Sequence, residues 1–121
     1  MNNIEFNEVF RNRTKPFSLN VMRLYASLQK CDEVRIMGKQ LIRSATSVGA
    51  NFRAVCLSRS LNAKYCIVVE EADESIYWLE LLQESHLNIK VSENLMKEAN
   101  EITKVMSACR IGLGKKIEKY K

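Results

Sequence analysis

A chain of 121 residues with 46% hydrophobic content makes one domain, large enough for an apolar core without metal or disulfide staples. Four glycines and a single proline supply too little turn chemistry for an all-β fold and favour helices. No stretch approaches the ~18 consecutive apolar residues of a membrane span, and Met1–Arg13 is charged where a signal peptide needs an apolar run, so a cytoplasmic protein is expected.

Residues 1–15 are polar and irregular and predict a flexible N-terminal arm. Pro16 suits the first position of a helix, where its missing N–H costs nothing. From there Phe17, Val21, Leu24 and Leu28 recur at helical spacing to about Lys30, and Cys31-Asp-Glu33 forms a short connection.

A second helix is predicted from about Val34 into the mid-fifties, with Val34, Met37, Leu41, Ala45, Val48, Phe52 and Val55 at intervals of three and four. Gly38 and Gly49 lie inside this pattern, and glycine in a helix interior costs ~1 kcal/mol relative to alanine. Gly49, between Ala45 and Ala50, therefore marks either a close approach of another helix or a kink. Ser58 or Ser60 can cap the third helix, which carries Leu61, Tyr65, Val68, Ala72, Leu79 and Leu82 on one line. A second apolar set, Ile67, Trp78 and Leu81, falls on another side, so this helix has more apolar surface than one core consumes.

After a turn over 86–91, Ser92 is an N-cap with Glu93 in the first turn and a Val91–Met96 hydrophobic staple. The fourth helix then runs through Leu95, Ala99, Ile102, Met106, Cys109 and Leu113. The bundle thus spans 16–114, followed by a basic C-terminal tail over 115–121. Four helices with short connections predict an all-α fold, an antiparallel up-and-down four-helix bundle.

The chemistry expected of this inventory is not enzymatic. One histidine, His86, lies in a predicted connection, and there is no serine elbow, phosphate-cradling glycine loop or Glu-x-x-His pair. Cys31, Cys56, Cys66 and Cys109 have no zinc-type spacing, and the last three sit in or beside apolar helical patterns as reduced, small hydrophobes. No catalytic residue, metal or cofactor is expected.

Charge carries more information. The net charge is +5, but residues 1–64 hold 11 Lys/Arg against 4 Asp/Glu, residues 65–101 hold 2 against 9, and residues 102–121 hold 6 against 1. Arg35, Lys39 and Arg43 fall at i, i+4 and i+8 and form one stripe, which Arg53 and Arg59 extend. With the tail lysines Lys115, Lys116 and Lys119 they are the candidate contacts to nucleic-acid phosphates. No aromatic residues interleave with the stripe, so base reading has little support. The alternative is that the stripe pairs with the acidic third helix of the same or a neighbouring subunit.

Two stretches, "LIRSATSVGAN" (41–51) and "EADESIYWLELL" (71–82), carry a likeness covering about Phe17 to Ile111. They resemble the "RS.TSI.AN" and "EA.E..YWLEL" patterns of the bacterial four-helix bundle proteins encoded by intervening sequences in 23S ribosomal RNA genes. The resemblance implies a ring-like homo-oligomer, commonly a pentamer, and more distantly a likeness to accessory proteins of diversity-generating retroelements, which bind nucleic acid and a reverse transcriptase. Ser44, Ser47 and Asn51 match the family's positions on the second helix, and Trp78 and Glu80 those on the third. Ala54 stands where the family usually places a glutamate. Tyr77 and Trp78 are candidates for the subunit interface, where aromatics are favoured, although Trp78 suits the core equally. The expected function is a non-enzymatic bundle that binds RNA or DNA with little sequence specificity. The alternative is a scaffold that docks a protein partner such as a reverse transcriptase and has no nucleic-acid affinity of its own.

Overall fold

The computed structural model describes the backbone of residues 3–57 and 61–119 and the side chains of 3–57 and 63–112. Four helices account for nearly all of it: α1 (Asn3–Ser27), α2 (Asp32–Leu57), α3 (Leu61–Glu84) and α4 (Glu93–Lys119), with no strand among the described residues. Consecutive helices pack side by side, and α1 also reaches α4, closing a four-helix bundle. The α1–α4 contact is much the smallest. Between these two helices lies an open cleft of about 710 Å³, lined by Asn20, Arg23, Lys90 and Asn94 among others.

The apolar lines predicted for the helices become the core. Phe17, Val21, Leu41, Val48, Phe52, Val68, Leu79, Leu82, Ile102 and Met106 are all essentially inaccessible to solvent. The second set on α3 behaves differently: Ile67 and Leu81 are exposed at the surface, while Trp78 is half-buried against the core. Ser92 caps α4 as expected, its hydroxyl accepting the Leu95 N–H at 3.1 Å. Val91 and Met96 both belong to the apolar cluster beneath that cap. Ser58 and Ser60, the expected caps of α3, lie outside the described residues.

The expected N-terminal arm is a correction. Residues from Asn3 onward are helical, and α1 runs straight through Pro16. A proline inside a helix removes one hydrogen bond and costs ~3 kcal/mol, yet packing on both sides outweighs that cost here. Phe6 and Phe10 stack at 4.8 Å and meet Phe52 of α2 at 6.4 and 6.0 Å between ring centroids. Arg13 lies over the Phe10 ring and donates to Glu98 and Glu101 of α4, each at 2.8 Å. Phe6, Phe10, Thr14 and Phe17 thus extend the helical spacing one heptad and more upstream of the proline.

α1 ends at Ser27, a little before the predicted limit, because Lys30 turns back on it. The Lys30 ammonium donates to the carbonyls of Tyr25 (2.5 Å) and Leu28 (2.7 Å) and covers the Tyr25 ring at 4.4 Å. It thereby satisfies helix-end acceptors that a C-terminal glycine motif would otherwise handle. The same Tyr25 ring fills the space over Gly38, where any Cβ would overlap ring carbons Cδ2 and Cε2.

Gly49 is a close approach rather than a break, since α2 continues unbroken past it and faces the Thr14 backbone of α1. A Cβ there would rest 3.6 Å from the Thr14 oxygens, an ordinary contact. The two glycines therefore respond oppositely to alanine. Gly38→Ala must displace a ring anchored by Lys30 and is expected to cost about 1–3 kcal/mol, as overpacking does. Gly49→Ala is expected to gain up to about 1 kcal/mol from helix propensity. Urea unfolding of the two variants checks both signs.

Candidate nucleic-acid interface

The small residues of α2 bring two neighbours close. Ser44 and Ser75 are both fully buried, and the Ser75 hydroxyl lies 3.0 Å from that of Ser44 across the α2–α3 contact. Each also reaches a carbonyl of its own helix, Ser44 that of Leu41 and Ser75 that of Glu71. On the opposite flank Ser18 of α1 donates to the Ala45 carbonyl at 2.9 Å. Asn51 turns its amide back onto Ser47, donating to both the carbonyl and the hydroxyl at 2.8 Å. The stretch 43–51 is thus packing chemistry on three sides, with only its first residue reaching a charge.

That residue is Arg43, which spans the α2–α3 seam. Its guanidinium pairs with Glu71 at 3.2 Å and with Glu74, and it also donates to the Gln40 side chain at 3.2 Å. The Glu74 hydrogen bond holds the Arg43 pKa above its ordinary value. Burial pushes the Glu71 carboxyl up, Arg43 opposes the shift, and the neighbouring Glu74 adds to it. Arg43 therefore follows the alternative drawn from the sequence, pairing with the acidic third helix of its own chain. Arg35 has only a loose contact to Asp32 at 3.6 Å, with both groups well exposed.

Lys39 and Arg53 remain exposed, and neither makes an ion pair among the described residues. Arg53 lines a groove of about 910 Å³ between α1 and α2, across which stand Arg11 and Lys15. Its floor includes Gly49, Ala50 and Ala54, and one carboxylate, Glu8, joins the rim. Arg11 and Lys15 are not among the sequence candidates, because the polar character of their segment reads as an irregular arm. The phenylalanine spacing upstream of Pro16 is the signal that places them on a helix, opposite its buried side. Ala54 matters here: a carboxylate at this position would sit in the groove and offset its cations. The side chains of Lys115, Lys116 and Lys119 lie outside the described residues, although their backbone continues α4. Arg59 lies wholly outside them.

The structure separates the two aromatic candidates. Tyr77 is 55% exposed, whereas Trp78 packs against the core with its ring at 5.1 Å from that of Tyr77. Trp78 Nε1 is buried with no hydrogen-bond acceptor among the described residues. His86, in the α3–α4 connection, contacts Glu33 at 3.1 Å. All four cysteines are free and half-buried, and burial raises Cys56 and Cys109 above the ordinary thiol range, away from the reactive thiolate. Burial likewise pushes the Tyr65 phenol up to about 12, with Cys109 beside it. Among the described residues no cluster of His, Cys, Asp and Glu could hold a metal ion, and no helix is long and apolar enough to cross a membrane.

The raised Glu71 pKa has a definite sign for stability. A carboxyl protonated more readily in the fold stabilises it at low pH, and that contribution disappears as pH rises through its raised pKa. Glu71→Gln removes this dependence while leaving Arg43 an acceptor. Thermal unfolding at neutral pH is expected to show the variant no less stable than the parent. The parent's relative disadvantage should fade on acidification below the ordinary carboxylate range; a variant clearly less stable at neutral pH would contradict this.

No protein-family model matches the chain, and no curated protein does. Among solved structures, the chain is similar to a protein of unknown function from the S23 ribosomal protein family of Bacteroides thetaiotaomicron. The TM-score is 0.69 at 26% identity, over 83% of this chain and 96% of that one. The likeness extends over most of the chain and supports a relation at the level of the S23 ribosomal protein family.

Proposed function

We propose that this chain is a non-enzymatic, cytoplasmic, homo-oligomeric bundle that contacts RNA or DNA through the basic face of α1 and α2, binding phosphates with little reading of sequence. The observation that carries this is the α1–α2 groove, where Arg11, Lys15 and Arg53 face a single carboxylate while the acidic residues of α3 are engaged elsewhere or point away. Lys39 stands on the same exposed stripe of α2, at i, i+4 and i+7 with Arg43 and Thr46, and continues it beyond the groove. Phosphate contacts need cations that are not already neutralised, which favours Lys39, Arg53 and Arg11 over Arg43, whose guanidinium is taken up by Glu71 and Glu74. The ring-like, pentameric assembly is the expectation that accompanies the family resemblance, as is the more distant tie to retroelement accessory proteins.

Salt titration tests the assignment. Fluorescence anisotropy with a labelled duplex and a labelled single strand gives the slope of log affinity against log salt. Replacing Arg11, Lys39 and Arg53 together by glutamine is expected to flatten that slope. The change is roughly 0.9 for each duplex phosphate no longer neutralised, or roughly 0.7 for each single-strand phosphate. Arg43→Gln should chiefly lower the unfolding midpoint and leave the slope nearly unchanged. An unaltered slope in the triple variant removes the groove from the interface. Absence of any binding by the parent protein at physiological salt would instead favour the scaffold reading, in which the bundle docks a protein such as a reverse transcriptase.

A further inference from the structure

The exposed faces of α1 and α3 have opposite character. On α3, Glu70, Asp73, Tyr77, Glu80 and Glu84 recur at intervals of three and four and are all exposed, so they form one solvent-facing stripe. Ile67 and Leu81 edge it, 36% and 37% exposed beside Tyr77. On α1, Leu19 and Met22 are 40% and 48% exposed and are bracketed by the exposed cations Lys15 and Arg23. The two helices do not contact each other; each packs on α2 and α4, so they occupy diagonal corners of the bundle.

Building on the oligomeric reading above, we propose that the acidic, tyrosine-centred face of α3 is a docking surface for a second copy of this chain, which seats the basic Lys15–Leu19–Met22–Arg23 face of its α1 there. Like charge excludes the simpler alternative. A two-fold pairing of α3 with α3 would set four carboxylates of one copy against four of the other, and opposed like charges across an interface cost several kcal/mol. The α1 face supplies what α3 lacks: cations around an apolar centre. Because the two faces lie on diagonal corners, each copy can offer both at once. The contact is therefore heterologous, head to tail, and propagates into a ring or an open chain instead of stopping at a dimer. Lys15 and Leu19 also line the α1–α2 groove opposite Arg53, so the docking face and the basic groove meet along them, while Arg11 and Lys39 lie outside both faces.

Charge reversal on each face tests the pairing, with light scattering on a sizing column as the readout. Lys15→Glu/Arg23→Glu leaves α3 intact, and Asp73→Lys/Glu80→Lys/Glu84→Lys leaves α1 intact. Each variant alone is expected to run at the 14.0 kDa monomer mass with unchanged helical circular dichroism. An equimolar mixture should recover multi-subunit masses, because both cross-pairings are again complementary. Met22→Ser and Tyr77→Ser, which trim one apolar side chain from each face without altering charge, should each shift the mass toward monomer. Parent-like masses in all four variants, or reversal variants that dissociate but fail to recover on mixing, overturn the pairing while leaving the oligomer standing. A monomeric parent protein overturns the oligomeric reading itself.

Discussion

The close approach of α2 to both of its neighbours is the constraint on which this bundle depends. At Ser44 and Ser75 two hydroxyls meet across the α2–α3 contact, and at Ser18 a third reaches the α2 backbone from α1. Each of these groups is satisfied, so their burial costs little, and each is small enough to let helix backbones draw together. A leucine at Ser44 or Ser75 would push the helices apart and break the register. That register also fixes which charges can meet. Antiparallel α2 and α3, pinned at Ser44–Ser75, bring Arg43 to Glu71 and Glu74 at one level and Glu33 to His86 at another.

The electrostatic division of labour follows from the same geometry. The acidic third helix turns one edge toward α2, where Glu71 and Glu74 hold Arg43, and another toward solvent. Among the described residues the cations of α1 and Arg53 at the far end of α2 have no such carboxylate partners, apart from Arg13, which is bound to Glu98 and Glu101. A chain with net charge +5 thus consumes part of its basic stripe in holding its helices and leaves the remainder on one side. Net charge alone could not distinguish the two uses.

Much of the fold is legible in the sequence because helical periodicity is strong wherever one face is fully buried. The line Val34 to Val55 on α2 matches the core almost residue for residue, and the Ser92 cap of α4 is where its side-chain chemistry places it. The first half of α1 escapes that reading for a physical reason: a proline is weighed as a helix start, while the aromatic packing that overrides it lies far along the chain at Phe52. The candidate site is harder to read. Spacing puts Arg35, Lys39 and Arg43 on one stripe, but whether a cation is free depends on where a carboxylate of another helix falls, and the chain's own periodicity does not encode that. Tyr77 and Trp78 are neighbours in sequence, and only the rotation of α3 separates an exposed phenol from an indole turned inward.

The thin contact between α1 and α4 has a mechanical consequence. Helices α2, α3 and α4 form a continuous packed slab, and α1 is fastened to its far edge by the Arg13 fork over an open cleft. Regions of lowest local stability open first and as cooperative units. Under force or mild denaturant this seam is expected to open first, with α1 held by its packing on α2 until that contact also gives way. A released α1 would find on a neighbouring molecule the same vacant edge it left, which makes the first helix the element most readily exchanged between copies.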